Sequence, residues 1–237
     1  MEKAKGTYLE LYIRNRFSIG LQAYADKLTQ SGLGPTARRI IDVGCGPGQW
    51  SVAAASVSPK AEIWGIDPHQ ELIDYAKEYT HVHGYQRIHF ETIDYTALRQ
   101  RFPRGYFDVL MCNGVLMYLE RDRAFEVFAY LLNPGGQIFL FYNHHIGYYI
   151  EKSLRALSEG DIKGLYGYGL KALGVNLLRR ILFSLHDGDT ALTPAYLQRL
   201  ALRHRIHLEE IPTALPSLYR DAFIGLPIVF SMRGYRI

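Results

Sequence analysis

Hydrophobic positions alternate between short dense runs and amphipathic stretches along most of this chain. Ile40-Ile-Asp-Val43 is a β-branched run ended by glycines, which predicts a buried strand. Gln49–Val57 is alanine-rich and reads as a helix stopped near Pro59, and Ala61–Ile66 reads as a second strand. His69–Tyr79 places Leu72, Ile73 and Ala76 at helical spacing, with Gly84 beyond its end. Arg87–Thr92 alternates as a third strand, and Tyr106–Cys112 carries the apolar run of a fourth. Arg121–Leu132 predicts a helix ended by Asn133-Pro-Gly-Gly136, and Gln137–Tyr142 a fifth strand. Such a β-α alternation implies right-handed crossovers and an α/β fold, with a mostly parallel sheet and helices on both faces. In open sheets of this kind, ligands sit beyond the carboxyl ends of the strands.

The rest of the chain breaks this rhythm. Residues 1–39 read as a mainly helical segment. Residues 143–189 hold no clear strand and predict a helical cap inserted after the core of residues 40–142. In that insertion Leu170, Leu173, Leu177, Leu178, Ile181 and Leu185 form an apolar stripe. Residues 190–237 hold a helix opened by Thr193 and Pro194, followed by candidate strands at Ile206–Ile211 and Pro227–Met232, for seven strands in all. No repeat or linker divides the chain, so one domain is expected.

Composition narrows the class. The chain has 237 residues, 48% hydrophobic and 21% charged, which is globular and long enough for a sizeable core without staples. Only Cys45 and Cys112 are present, so no disulfide framework is expected and a reducing, cytoplasmic location is the default. The opening residues are too polar for a signal peptide, and no run reaches the roughly 18 apolar residues of a membrane span. The net charge of +4 is uneven. Residues 1–120 carry 13 basic and 13 acidic residues, so the whole excess, mostly arginine, lies in the second half. It is too small and dispersed for a nucleic-acid footprint, and a mildly anionic small substrate is compatible with it. Eighteen tyrosines are present, several crowded into Tyr142, Tyr148, Tyr149, Tyr166 and Tyr168.

The richest chemical signal is Ile41-Asp-Val-Gly-Cys-Gly-Pro-Gly48, which leaves a strand and opens a helix. Asp42, Gly44, Gly46 and Gly48 form an Asp-x-Gly-x-Gly-x-Gly pattern. Glycines permit positive φ and close approach of a ligand to the backbone, and the following helix offers free N–H groups. The third glycine of a dinucleotide fingerprint would fall at Gln49, and no Lys-Ser/Thr pair follows, so neither that fingerprint nor a P-loop fits.

With these residues the chain resembles the class I S-adenosylmethionine-dependent methyltransferases, well over residues 38–142 and weakly elsewhere. The first motif of that family is matched in full by Asp42, Gly44, Cys45, Gly46 and Gly48. Trp64-Gly-Ile-Asp67, followed by Pro68, supplies the acid at the end of the next strand, 19 residues after Gly48. In the family such an acid receives the ribose hydroxyls. Asp94, before Tyr95, stands where the family's third acid meets the adenine amino group; the alternative makes Asp94 the N-cap of the next short helix. Phe107–Leu116 corresponds to the strand end lining the methionine part of the cofactor, through the Cys112 backbone and Asn113. Leu132-Asn-Pro-Gly-Gly136 is the fifth element. The resemblance implies a Rossmann-like, doubly wound fold, with S-adenosylmethionine as cofactor and S-adenosylhomocysteine as product. It also implies that the N-terminal segment closes over the cofactor, bringing Tyr12 or Arg14 to its carboxylate.

The acceptor is less legible. A hydroxyl must lose a proton and an amine must be held neutral, and histidine suits this near pH 7. Asn143, His144 and His145 end the fifth strand over the expected pocket and are the candidate base or substrate ligands; an unreactive loop pair is the competing reading. His81, His83 and His89 read as surface residues. The strand ends Cys112-Asn113 and Asn143-His144 lack the acids of the metal-dependent catechol branch, so no metal is expected. Gly114 and Val115 after Asn113 argue against the Asp/Asn-Pro-Pro-Tyr branch that methylates DNA amino groups. The pattern looks closer to the small-molecule branch that includes quinone and natural-product enzymes. The expected reaction is metal-independent methyl transfer to an oxygen or nitrogen of a small acceptor. No nucleic-acid partner is expected, and a monomer or homodimer is. Methylation of RNA or protein, and a cofactor-binding module without turnover, are the alternatives.

Overall fold

The computed structural model describes residues 8–143, 157, 160, 193–211, 222–223, 226–227 and 229–237. Among them is a seven-stranded sheet. Its strands are β1 (Arg39–Val43), β2 (Glu62–Asp67), β3 (Ile88–Thr92), β4 (Phe107–Asn113), β5 (Leu132–Asn143), β6 (Ile206–Glu210) and β7 (Val229–Arg236). They lie in the order β3-β2-β1-β4-β5-β7-β6. The first five pair in parallel, and β7 enters antiparallel between β5 and β6. The expected α/β sheet is therefore present, and its Rossmann-like winding reverses direction between β1 and β4.

Among the described residues the α-helices are α1 (Tyr8–Phe17), α2 (Leu21–Gln30), α3 (Gln49–Val57), α4 (Gln70–Val82), α5 (Leu98–Arg101), α6 (Arg121–Leu131) and α7 (Pro194–Arg203). Strands covered on both faces must be apolar on both, and the near-continuous runs of β1 and β4 meet this demand. Alternate residues serve two cores. Ile40, Ile63, Val109, Met111 and Phe139 pack with Leu28, Ala54 and Ile73 on one face. Ile41, Val43, Leu110, Ile138 and Leu140 pack with Phe125, Phe128, Leu131, Leu197 and Leu200 on the other. Each fully buried Phe or Leu side chain contributes about 2–3 kcal/mol of transfer free energy. Thr193 caps α7 by accepting the Tyr196 N–H at 3.2 Å, with Pro194 in its first turn.

Two strand boundaries differ from the hydrophobic pattern. β5 starts at Leu132 instead of Gln137, because Leu132 pairs with Phe107 and the register then shifts to Val109 opposite Gln137. The turn residues bulge out in between, where Asn133 Nδ2 donates to Asp108 Oδ1 at 2.8 Å. β7 runs Val229–Arg236 instead of Pro227–Met232. Its later half pairs with both neighbours while Arg233 and Tyr235 remain exposed, so its hydrophobic pattern is diluted. Leu226–Pro227 instead pairs with Ala222–Phe223 in a separate short ladder. The leucine stripe and Tyr148, Tyr149, Tyr166 and Tyr168 of the expected cap lie outside the described residues.

Candidate functional site

The glycine loop leaves the carboxyl end of β1 beside the point where strand order reverses, the position favoured for ligands in such sheets. Gly44, Gly46 and Gly48 all take positive φ, at 73°, 54° and 88°. Space is as restrictive as conformation. A Cβ on Gly44 would lie 2.5 Å from Val115 Cγ2, and one on Gly48 would lie 2.8 Å from the Phe90 ring. The loop therefore runs tight between the segment after β4 and the side chain of β3. Its N–H groups are partly used to fix it, since those of Gly44 and Cys45 both donate to the Ile66 carbonyl, at 2.8 and 3.0 Å.

Two carboxylates hold this turn. Asp67, at the end of β2, accepts the Gly46 N–H on Oδ2 at 3.0 Å. Its Oδ1 accepts the His69 N–H at 3.0 Å and faces His69 Nδ1 at 2.8 Å. Asp67 thus binds the glycine loop to the start of α4, and Oδ2 keeps a lone pair for a further donor. Asp42 is buried within β1 and accepts the Ser51 hydroxyl of α3 at 2.7 Å. Burial is the main cause that raises its pKa to about 7, partly offset by Ser51 and reinforced by the Asp67 charge. Its Oδ1 is buried without a hydrogen-bond partner.

Asn113, at the end of β4, has both amide atoms shielded from solvent and without a partner. Native interiors seldom leave such groups unpaired, so a ligand with donors and acceptors is the simplest account. The Asp42 oxygen points to the same conclusion. Over the loop lies α1, where the Tyr12 hydroxyl stands 3.5 Å from the Cβ position of Gly46. The Arg16 guanidinium covers the Tyr12 ring at 5.0 Å. Arg14 is exposed on the same helix.

The expected residues therefore divide. Asp42, Gly44, Cys45, Gly46, Gly48, Asp67 and Tyr12 gather around one turn, and Asn113 ends the adjacent strand. Asp94 is the N-cap of the short turn Tyr95–Ala97, its Oδ1 accepting from Thr96 N and Oγ1 at 2.9 and 2.6 Å. That is the capping role weighed for it, and Oδ2 is left to face solvent or a ligand. Pro68 is exposed and Tyr95 half-buried. Both cysteines are buried, and burial pushes both thiols well above their usual pKa, so neither is primed as a nucleophile. Asn143 ends β5 opposite Val229, while His144 and His145 lie outside the described residues. Ser51 and His69 were not singled out in the sequence as site residues, and Val115 was read only as evidence against a DNA-methylating branch. Ser51 and His69 carry no pattern of their own, and Val115 matters only because Gly44 lies against it.

Among the described residues no three His, Cys, Asp or Glu side chains cluster as metal ligands. No described helix is long and apolar enough to cross a membrane.

Comparison with known proteins agrees with this geometry. The methyltransferase domain family matches residues 36–158, more than half of the chain. An uncharacterised Synechococcus protein is 34% identical over 148 residues, covering 60% of this chain and 35% of its own length. A ubiquinone biosynthesis O-methyltransferase of Dechloromonas aromatica is 32% identical, covering 44% of this chain and 43% of its own length. A ribosomal RNA large subunit methyltransferase G of Vibrio atlanticus is 27% identical, covering 55% and 35%. The chain thus spans less than half the length of these relatives. The fold is shared with a SAM-dependent methyltransferase of Aquifex aeolicus at a TM-score of 0.60, with 12% identity and 96% of each chain covered. The chain belongs to the methyltransferase domain family.

Proposed function

We propose that the protein transfers a methyl group from S-adenosylmethionine to an oxygen or nitrogen of a small-molecule acceptor. The observation that carries this reading is the pairing of a tight glycine turn, tied to Asp67, with the unpartnered polar atoms of Asn113 and Asp42. The residues present fit the cofactor. Asp67 Oδ2 retains acceptor capacity for a ribose hydroxyl, and Asp94 Oδ2 for an adenine amino group. Asn113 and Asp42 would meet the methionine end, and Tyr12 would cover it. When bound, the cofactor supplies an activated methyl on a sulfonium, so the chain need only orient the partners and exclude water.

The chain's own contributions follow from its charges. A cationic ligand beside Asp42 favours its ionised form, which lowers the raised pKa and couples binding to pH. Asn143 stands where β5 delivers the chain toward the acceptor, and His144 or His145 takes the acceptor proton at Nδ1 or Nε2. Residues 143–189 are the segment assigned to covering the acceptor. The metal-independent reading follows from strand ends that carry Asn113 and Asn143 in place of acids. The small-molecule reading is supported by the likeness to the ubiquinone enzyme.

The test is methyl transfer from isotopically labelled S-adenosylmethionine to a panel of phenols, quinols and amines, with bulk RNA alongside. Transfer to a small acceptor is expected, reduced at least about a hundredfold in a His144→Ala, His145→Ala double variant. Transfer to RNA alone overturns the acceptor assignment, and cofactor binding without any transfer overturns the enzymatic one.

A further inference from the structure

The amino edge of the sheet, opposite the glycine turn, carries an open cavity of about 330 Å³. Four separate chain segments build it. Arg104 precedes β4, Tyr130 lies in the last turn of α6, Arg205 precedes β6, and Arg236 ends β7. Arg99 adds a fourth guanidinium, covering the Tyr130 ring at 5.0 Å. The Glu126 carboxylate on the rim is already paired with Arg99. Among the described residues no carboxylate pairs with Arg104, Arg205 or Arg236. The His204 imidazole is engaged by Asp122 at 3.0 Å.

Folding spends stability to gather these charges. Arg205 holds φ at +58°, a left-handed conformation disfavoured for a residue with a Cβ. The position follows the C-cap of α7, where glycine or asparagine is the usual occupant. It is fixed by its N–H on the Leu202 carbonyl at 3.0 Å and by its own carbonyl, which accepts the Ile237 N–H at 2.8 Å. Arg236 donates to the Leu132 carbonyl, which anchors its head at the cavity. Burial and the nearby Arg104 and Arg205 charges hold the pKa of Arg236 below its usual value, so the like charges do meet. Three uncompensated guanidinium groups around a concave site match a multiply charged oxyanion, which accepts several N–H bonds at once. The volume falls in the range of small-ligand sites.

We propose that this cavity is a second ligand site, distinct from the methyl-transfer site, which takes the phosphoryl or diphosphoryl group of a small soluble ligand. It is independent of the methyl-transfer reading and is tested by binding alone. Pyrophosphate is titrated calorimetrically into the wild-type protein at low ionic strength, with Arg104→Gln, Arg205→Gly and their double variant in parallel. Arg205→Gly suits the left-handed backbone, so it removes the charge while relieving the conformation. Arg203→Gln, which only breaks the exposed pair with Asp122, is the control. Saturable binding is expected, weaker by about tenfold or more in each cavity variant and unchanged in the control. No saturable binding by the wild type, or equal binding by the double variant, overturns the site. A short RNA that binds there more tightly than pyrophosphate overturns the small-ligand assignment in favour of a nucleic-acid backbone.

Discussion

The two edges of one sheet carry opposite charge. The carboxyl edge carries Asp42 and Asp67 at a glycine turn and Asp94 just after β3, and the amino edge gathers Arg99, Arg104, Arg205 and Arg236 around a cavity. Both are products of the same winding, because each parallel strand contributes one end to each edge. They differ in how the chain assembles them. The acidic edge uses residues at the ends of β1 and β2 and just after β3, so each acid falls within two residues of a strand's carboxyl end. The basic edge draws single residues from positions 99, 104, 205 and 236, which share no spacing. Strand ends thus determine the chemistry at both edges, but only one edge has a linear signature.

Three changes sharpen this contrast, beginning with the largest effect. Asp42 has a folded-state pKa raised from 3.8 to about 7, so between these values the folded protein holds a proton that the unfolded chain releases. Stability contributed by this site is present below about pH 4 and falls as pH rises toward 7, by on the order of 4 kcal/mol in total. Denaturant titrations from pH 4.5 to 7.5 should show that decline in the wild type and a flatter profile in Asp42→Asn. A parallel profile in both proteins would remove the buried-carboxyl account. Arg104→Gln keeps Asp42 and should show the same decline as the wild type, because a guanidinium stays charged throughout this range and adds no pH dependence of its own.

Backbone crowding differs between the edges in the same way. Gly44→Ala forces a Cβ against Val115 at 2.5 Å and keeps φ positive, so a loss of about 3 kcal/mol is expected. Gly105→Ala, beside the arginine cavity, meets nothing closer than 3.6 Å and should lose only about 1 kcal/mol for its positive φ. Equal losses in chemical denaturation would show that the carboxyl edge is not the tighter one. The smallest effect is screening. Raising salt from 50 to 300 mM should weaken pyrophosphate binding at the exposed arginines several-fold, while cofactor affinity at the buried turn changes less than twofold. Similar salt slopes for both ligands would contradict the distinction.

Much of the fold was legible because strands covered on both faces need uninterrupted apolar runs, and Ile40–Val43 and Phe107–Cys112 supply them. β7 was misplaced because Arg233 and Tyr235 sit at exposed positions within it, and β5 was shortened because Pro134 and Gly135 mask a bulged start. At the site, the glycines and Asp67 announced themselves through motif and position. The linkage between them did not, since the Gly46–Asp67 hydrogen bond joins residues 21 apart across the β1-α3-β2 crossover and Ser51–Asp42 joins residues 9 apart between β1 and α3. Asp94 illustrates the reverse case, where one residue type suits a helix cap and a ligand position alike, and the structure shows the cap.

The central claim is that the glycine turn and Asp67 together form the cofactor site. Calorimetric titration of S-adenosylhomocysteine into the wild type and Asp67→Ala tests it most directly. Asp67 accepts one hydrogen bond from the loop and, in the proposed site, would accept one from the ligand, each worth about 1.5–3 kcal/mol for a charged partner. The account predicts one site per chain and at least about a hundredfold weaker binding in the variant. Absence of binding by the wild type, or equal affinity in the two proteins, would contradict it.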